Sequence, residues 1–114
     1  MYEYNAFVNG VYDGDTITVD IDLGFGVFMK NQKIRLFGIN TPEIRGEERN
    51  LGLISRDILR KWILEKNIII HTQKDQKGKY GRWLGTIIIK DESGISHNIN
   101  EKLLNEGYAN PYLE

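Results

Sequence analysis

The sequence predicts a mainly β chain with helices (α+β): five short strands, one longer helix over about 51–65 and one short helix over about 98–106. Three observations carry this reading. Residues 16–23, TITVDIDL, alternate apolar and polar along a whole strand. Leu51, Ile54, Ile58 and Trp62 recur at helical spacing, with Arg56, Asp57, Arg60 and Lys61 among them, as on an amphipathic helix. NINEKLLNEG carries its own start and stop: Asn98 as cap, Glu101 three residues later, Leu103 and Leu104 as anchors, Gly107 as terminator.

The elements follow in order. Residues 4–12 have strand composition, and Asp13-Gly14 after them is a tight-hairpin signal, because glycine accepts the positive φ such turns require. In the next strand Ile17, Val19, Ile21 and Leu23 share one face, and Thr16, Thr18, Asp20 and Asp22 the other. The same parity puts the Asp15 carboxylate at the head of the apolar row. LGFG (23–26) predicts a second turn, VFMKNQKIRLFGI the third strand, and the polar IRGEERN after Glu43 a loop. NIIIHT and RWLGTIIIK read as two more strands, separated by the loop QKDQKGKYG. Three strands, a helix, two strands and a short helix suit a small, partly open barrel of the five-stranded OB-type Greek-key kind. An ordinary α+β sheet satisfies the same periodicity.

The 114 residues fit one domain, 1–114, and 40% hydrophobic with 27% charged content is ordinary for a folded soluble chain. No apolar run approaches the ~20 residues needed to span a bilayer, so no membrane partner is expected. MYEYNAFVNG lacks the positive-then-apolar layout of a signal peptide, which points towards an intracellular role. Nothing in the chain marks an obligate protein partner. The absence of cysteine excludes disulfides and thiolate metal sites. His71 and His97 have no second ligand at zinc spacing and read as ordinary strand or loop residues. A net charge of −1 does not advertise a polyanion-binding protein, so a nucleic-acid function requires a local basic site.

Four polar groups stand out, and each has a plain reading when taken alone. DGDT (13–16) makes a hairpin turn with solvated aspartates, or it holds Asp15 at the mouth of the core as a hard-oxygen metal ligand. Arg35 sits among Ile34, Leu36, Phe37 and Ile39, apolar on both parities, where free exposure is disfavoured. NTPE (40–43) and KYGR (79–82) are both compatible with turns. Their combination says more. If the strands close into a barrel, the turn before strand two and the end of strand three share a rim. Asp15, Asn40, Thr41 and Glu43 then converge with Arg35 and Arg82. Two carboxylates, an amide oxygen and two guanidinium groups suit phosphoryl chemistry: a metal organises the oxygens, arginines neutralise phosphate charge, and a carboxylate activates water.

VYDGDTITV (11–19), RLFGINTPE (35–43) and KYGRWLG (79–85), in that order, resemble the landmarks of the staphylococcal nuclease family, and NINEKLLNEGYA (98–109) resembles its later short helix. The resemblance implies an OB-fold barrel and calcium-dependent, sugar-nonspecific cleavage of DNA and RNA, leaving 3′-phosphate ends. Position by position, it makes Asp15 a calcium-binding aspartate. Asn40 takes the place of the second calcium-binding aspartate, and Thr41 offers its backbone carbonyl to the ion. It makes Glu43 the general base and Arg35 and Arg82 the phosphate-binding, transition-state-stabilising arginines. Lys79, Tyr80 and Tyr112 resemble residues that line the nucleotide pocket.

There are departures from the family pattern. The Asn40 amide oxygen can still coordinate calcium or another divalent cation, but one negative charge is gone. The expected cost is ~10- to 100-fold in metal affinity, about 1.4–2.7 kcal/mol. The sequence ends at Glu114 without the prototype's C-terminal helix. The hairpin VDIDLGFGVFMKNQ is longer than usual, and the loop after Glu43 is shorter. Two functions follow. One is a metal-dependent nuclease; the other is a catalytically silent OB-fold module that binds single-stranded nucleic acid. Asn40 and the near-neutral charge favour the module, whereas Asp15, Arg35, Glu43 and Arg82 together favour the nuclease.

Overall fold

A computed structural model describes residues 2–74 and 83–113. In chain order its elements are β1 (Tyr2–Asp13), β2 (Thr16–Gly24), β3 (Val27–Leu36), β4 (Ile39–Asn40), α1 (Arg49–Ile63), β5 (Asn67–Lys74), β6 (Trp83–Lys90), β7 (Ser96–Asn98), α2 (Ile99–Asn105) and β8 (Asn110–Pro111). β1, β2 and β3 form an antiparallel meander, β5 returns along the other side of β1, and β6 pairs with β5. A parallel pairing of Ile34–Leu36 with Trp83–Gly85 then closes the five long strands into a barrel. This is the predicted OB arrangement. β1 can serve both neighbours because register shifts at Val8/Gly10 and Val11/Asp13 bend it.

The alternation read from the sequence fills the barrel. Ile17, Val19 and Ile21 are buried with Val8, Ile34, Leu36, Ile70 and Ile87, and Leu59, Ile63, Ile99 and Leu103 of the helices cap them. The LGFG turn is as predicted, with Gly24, Phe25 and Gly26 all at positive φ. His71 and His97 are ordinary strand residues, each lying against a carboxylate, Glu3 at 2.8 Å and Asp91 at 2.9 Å. No helix among the described residues is long and apolar enough to cross a membrane.

Helix α1 departs from expectation in both bounds and face. It runs 49–63 rather than 51–65, stopping where Leu64 turns extended and the Glu65 N–H bonds to the Val8 carbonyl at 2.9 Å. Its buried residues are Gly52, Ser55, Leu59 and Ile63. Leu51 and Ile54, the predicted anchors, are 60% and 52% exposed, and Ile58 and Trp62 only flank the core. The inward face is therefore turned one residue, about 100°, from the apolar stripe. The reason is proximity: the first half of the helix lies so close to two loops that only glycine and serine fit.

Helix α2 begins as predicted, with the Asn98 side chain accepting the Glu101 N–H at 3.1 Å. Asn100, two residues on, is buried and fully used. Its Nδ2 donates to the carbonyls of Phe37 (2.9 Å) and Gly85 (3.0 Å), and its Oδ1 accepts the Ile87 N–H at 3.0 Å. One amide thus ties α2 to the end of β3 and to β6.

Candidate active site

At the rim where β1 turns into β2, the strand parity places Asp15 inward, and it is only 8% exposed. Three hydrogen bonds hold it. Its carbonyl accepts the Leu36 N–H at 2.8 Å, its Oδ2 accepts the Thr41 N–H at 3.1 Å, and its Oδ1 accepts the Thr16 hydroxyl at 3.2 Å. Turns distant in sequence are thereby locked together through one carboxylate.

The sequence explains Gly14 differently from the structure. The hairpin forms, but Gly14 is not among the residues at positive φ. A Cβ there would stand 2.8–2.9 Å from carbons of Thr41 and Ser55, closer than van der Waals contact allows. Glycine is needed so that the turn, the Thr41 loop and α1 can touch. Gly52 does the same on the helix, where a methyl group would overlap the Glu43 carbonyl and come within 2.8 Å of the Pro42 oxygen. Ser55 completes the seam by donating to the Tyr108 carbonyl at 2.7 Å.

Arg35 curls over the end of its own strand. Nη1 donates to the carbonyls of Leu36 (3.2 Å) and Ile39 (3.1 Å), and Nη2 donates to Asn40 Oδ1 at 3.3 Å. The same Nη2 lies 3.9 Å from Asp15 Oδ2, and both side chains are about nine-tenths buried, at 11% exposure each. The guanidinium stands 4.8 Å from the centre of the Tyr112 ring. That ring is positioned by the pairing of β8 with β4, Asn110 opposite Asn40, and by the Tyr112 N–H on the Gly38 carbonyl at 2.9 Å. Asp15, Arg35, Asn40, Thr41 and Tyr112 are therefore brought together. Glu43 lies on the adjoining loop with its side chain exposed and its backbone seated on Gly52. Lys79, Tyr80 and Arg82 lie outside the described residues.

Two features of the site were missed in the sequence. Asp13 is more than a turn residue. Burial, then the hydrogen bond and charge of Asp15, push its carboxyl up to about 6, although the Asp15 N–H at 3.0 Å pulls the other way. Asp13 lies across the turn, paired opposite Thr16 after a register shift, so strand parity gives no sign of its contact with Asp15. Asn100 is the other. Its place three residues before Leu103, on the apolar face of α2, was a visible sign of a buried polar role.

Among the described residues no three His, Cys, Asp or Glu side chains cluster as a metal site. The donor set fits a hard cation: the Asp15 carboxylate, the Asn40 amide oxygen and the Thr41 carbonyl are all oxygens. Two further observations fit it. Thr41 Oγ1 is buried with no hydrogen-bond partner among the described residues, and Asp13 and Asp15 press like charges together.

Residues 33–113 match the family of staphylococcal nuclease homologues, and the chain belongs to that family. Individual relatives agree. The chain is 31% identical over 102 residues to a thermonuclease of Staphylococcus hyicus, covering 87% of this chain and 54% of that one. It is 30% identical over 131 residues to an uncharacterized protein of Methanocaldococcus jannaschii, covering 96% of this chain and 60% of the relative. An endonuclease of Bacillus subtilis is 31% identical over 121 residues, 97% of this chain but 9% of its own length. The chain thus spans little more than half of the thermonuclease and the archaeal protein.

Proposed function

We propose that the chain hydrolyses phosphodiester bonds of DNA and RNA as a calcium-dependent, sugar-nonspecific nuclease. The observation that carries this reading is the Arg35 guanidinium held at the rim between Asp15, Asn40 and Tyr112. A buried arginine fork beside inward oxygens at an open barrel end is an arrangement for gripping an anion, and membership of a nuclease family supports a nucleic-acid phosphate as that anion.

Asp15, Asn40 and the Thr41 carbonyl would hold the calcium ion, which when bound offsets phosphate charge and makes a water molecule easier to deprotonate. The Leu36 and Ile39 carbonyls fix the plane of the Arg35 guanidinium, so a phosphate meets a preset donor rather than a mobile side chain. Arg35 and Arg82 neutralise the equatorial oxygens, and their hydrogen bonds strengthen as charge builds in the transition state. Glu43, exposed on a loop that Gly52 anchors, accepts the proton of the attacking water. The new bond joins water oxygen to phosphorus; the bond to the 5′ oxygen breaks and that oxygen takes a proton from solvent, leaving a 3′-phosphate and a 5′-hydroxyl. Lys79, Tyr80 and Tyr112 line the nucleotide pocket in this reading.

A second reading, a silent binding module, is favoured by Asn40 standing where a carboxylate would supply charge and by its use as an acceptor for Arg35. Cleavage of heat-denatured DNA in calcium, in magnesium and in chelator separates the two. The nuclease reading expects cleavage in calcium, none in chelator, and a loss of at least ~10²-fold in Glu43→Gln. Wild type as inert as Glu43→Gln, yet still binding single strands, establishes the module instead.

A further inference from the structure

A second basic site lies away from the rim. A cleft of about 390 Å³ opens where the C-terminal end of α1, the end of β6 and the start of α2 meet. Its lining includes Lys61, Lys66, Lys90 and Lys102, with Trp62 at its wall and Asp91 as the sole carboxylate. The concentration is unusual for a chain whose net charge is −1. None of the four ammonium groups makes an ion pair with a described residue, whereas Lys30, Arg35 and Arg56 each have a carboxylate partner.

Asp91 is held ionised by the His97 ring and the Ile95 and Ser93 N–H groups, so it offsets one of the four charges and leaves the cleft net positive. Oδ1 accepts the Ser93 and Ile95 N–H groups at 2.9 and 3.0 Å, and Oδ2 faces the His97 ring at 2.9 Å. Lys102 is ordered in a different way, its Nζ 4.3 Å from the centre of the Trp62 ring, which itself packs edge-on against Tyr108. Four like charges around one concavity repel each other, and a polyanion relieves that repulsion. The site is also separate from the rim. The rise of α1 puts Trp62 about 15 Å beyond Gly52, the helix residue that touches the Glu43 loop.

We propose that this lysine cleft is a second phosphate-binding site, which holds a nucleic-acid strand by its backbone outside the cleavage rim. That the polyanion is nucleic acid rests on the nuclease reading; the cleft and its charge do not. Such a site reads no bases, so it adds affinity for long strands without sequence preference. It also answers how a nearly neutral chain binds a polyanion: the positive charge is gathered rather than abundant.

The test measures binding by fluorescence anisotropy in chelator, so that nothing is cleaved. The probes are a labelled 20-nucleotide single strand and a labelled trinucleotide. Wild type is compared with a Lys61→Glu, Lys66→Glu, Lys102→Glu triple variant and with the matching triple glutamine variant, which keeps most of each stem. The proposal expects the 20-mer to bind about 10-fold more weakly to the glutamate variant, with an intermediate loss for glutamine. It also expects the salt slope to flatten by up to about 2, since each phosphate contact contributes ~0.7. Trinucleotide binding stays within twofold. Equal 20-mer affinity and slope in all three proteins overturns the proposal. So does a loss confined to phosphatidylserine vesicles or to inorganic phosphate. The nuclease reading fails separately, if wild type does not cleave in calcium.

Discussion

The backbone N–H of Thr41 donates to Asp15 Oδ2 at 3.1 Å, joining two turns 26 positions apart inside the barrel mouth. This bond makes the rim a single object. It fixes the Asp15 carboxylate, sets the direction of the Thr41 peptide, and leaves Asn40 facing Arg35.

Gly14→Ala adds a methyl group 2.8–2.9 Å from Thr41 and Ser55. Since Gly14 is not at positive φ, the cost is overpacking alone, about 1–3 kcal/mol. Urea unfolding measures it. Activity should fall further than stability explains, because the Thr41 loop is what must move. A fully stable, fully active alanine variant means the seam yields to a methyl group at no cost.

Asn40→Asp restores a negative charge beside Asp15 and Arg35. The calcium concentration for half-maximal cleavage should fall ~10- to 100-fold, equivalent to about 1.4–2.7 kcal/mol. A calcium titration of rate checks it. An unchanged requirement means that the side chain at position 40 is not a ligand.

Asp13 gives a pH dependence in metal-free protein. Its folded pKa, about 6, lies above the ordinary 3.8, so the folded state binds the proton more tightly than the unfolded chain does. The associated stability is present below about pH 4 and is lost as pH rises through 6. Discounted for its partial exposure, the contribution is about 1 kcal/mol. Asp13→Asn should therefore be more stable than wild type at pH 7 in chelator, with the difference vanishing by pH 4. Thermal melts across that range measure it, and an asparagine variant no more stable at pH 7 contradicts the assignment.

Asn100→Ala leaves the Ile87 N–H and the Phe37 and Gly85 carbonyls without their side-chain partner. The expected loss is about 2–4 kcal/mol in urea unfolding. Little change would mean that water replaces the amide.

The barrel was legible because its strands alternate and its turns carry glycine; TITVDIDL alone located one wall and turned Asp15 inward. Helix α1 was legible as a helix but not in its facing. Hydrophobicity marks Leu51 and Ile54, while the true seam is made by Gly52 and Ser55, chosen for small size against loops distant in sequence. The short strands β4 and β8 were invisible, since two residues have no period, yet they position Asn40 and Tyr112. Of the six residues expected to converge, Asp15, Arg35, Asn40 and Thr41 do; Glu43 stands on the adjoining loop, and Arg82 lies outside the described residues. Asp13 was missed because strand parity does not carry through the turn and register shift that separate it from β2. The lysine cleft was out of reach, for its residues come from four separate elements.

The most direct test of the account is single-turnover cleavage of a labelled single strand in saturating calcium by wild type and Arg35→Ala, with binding measured in chelator. If the guanidinium held between Asp15 and Asn40 acts on the transition state, the alanine variant cleaves ~10²- to 10³-fold more slowly while binding within a few-fold of wild type. An equal cleavage rate, or a loss wholly accounted for by weaker binding, contradicts it.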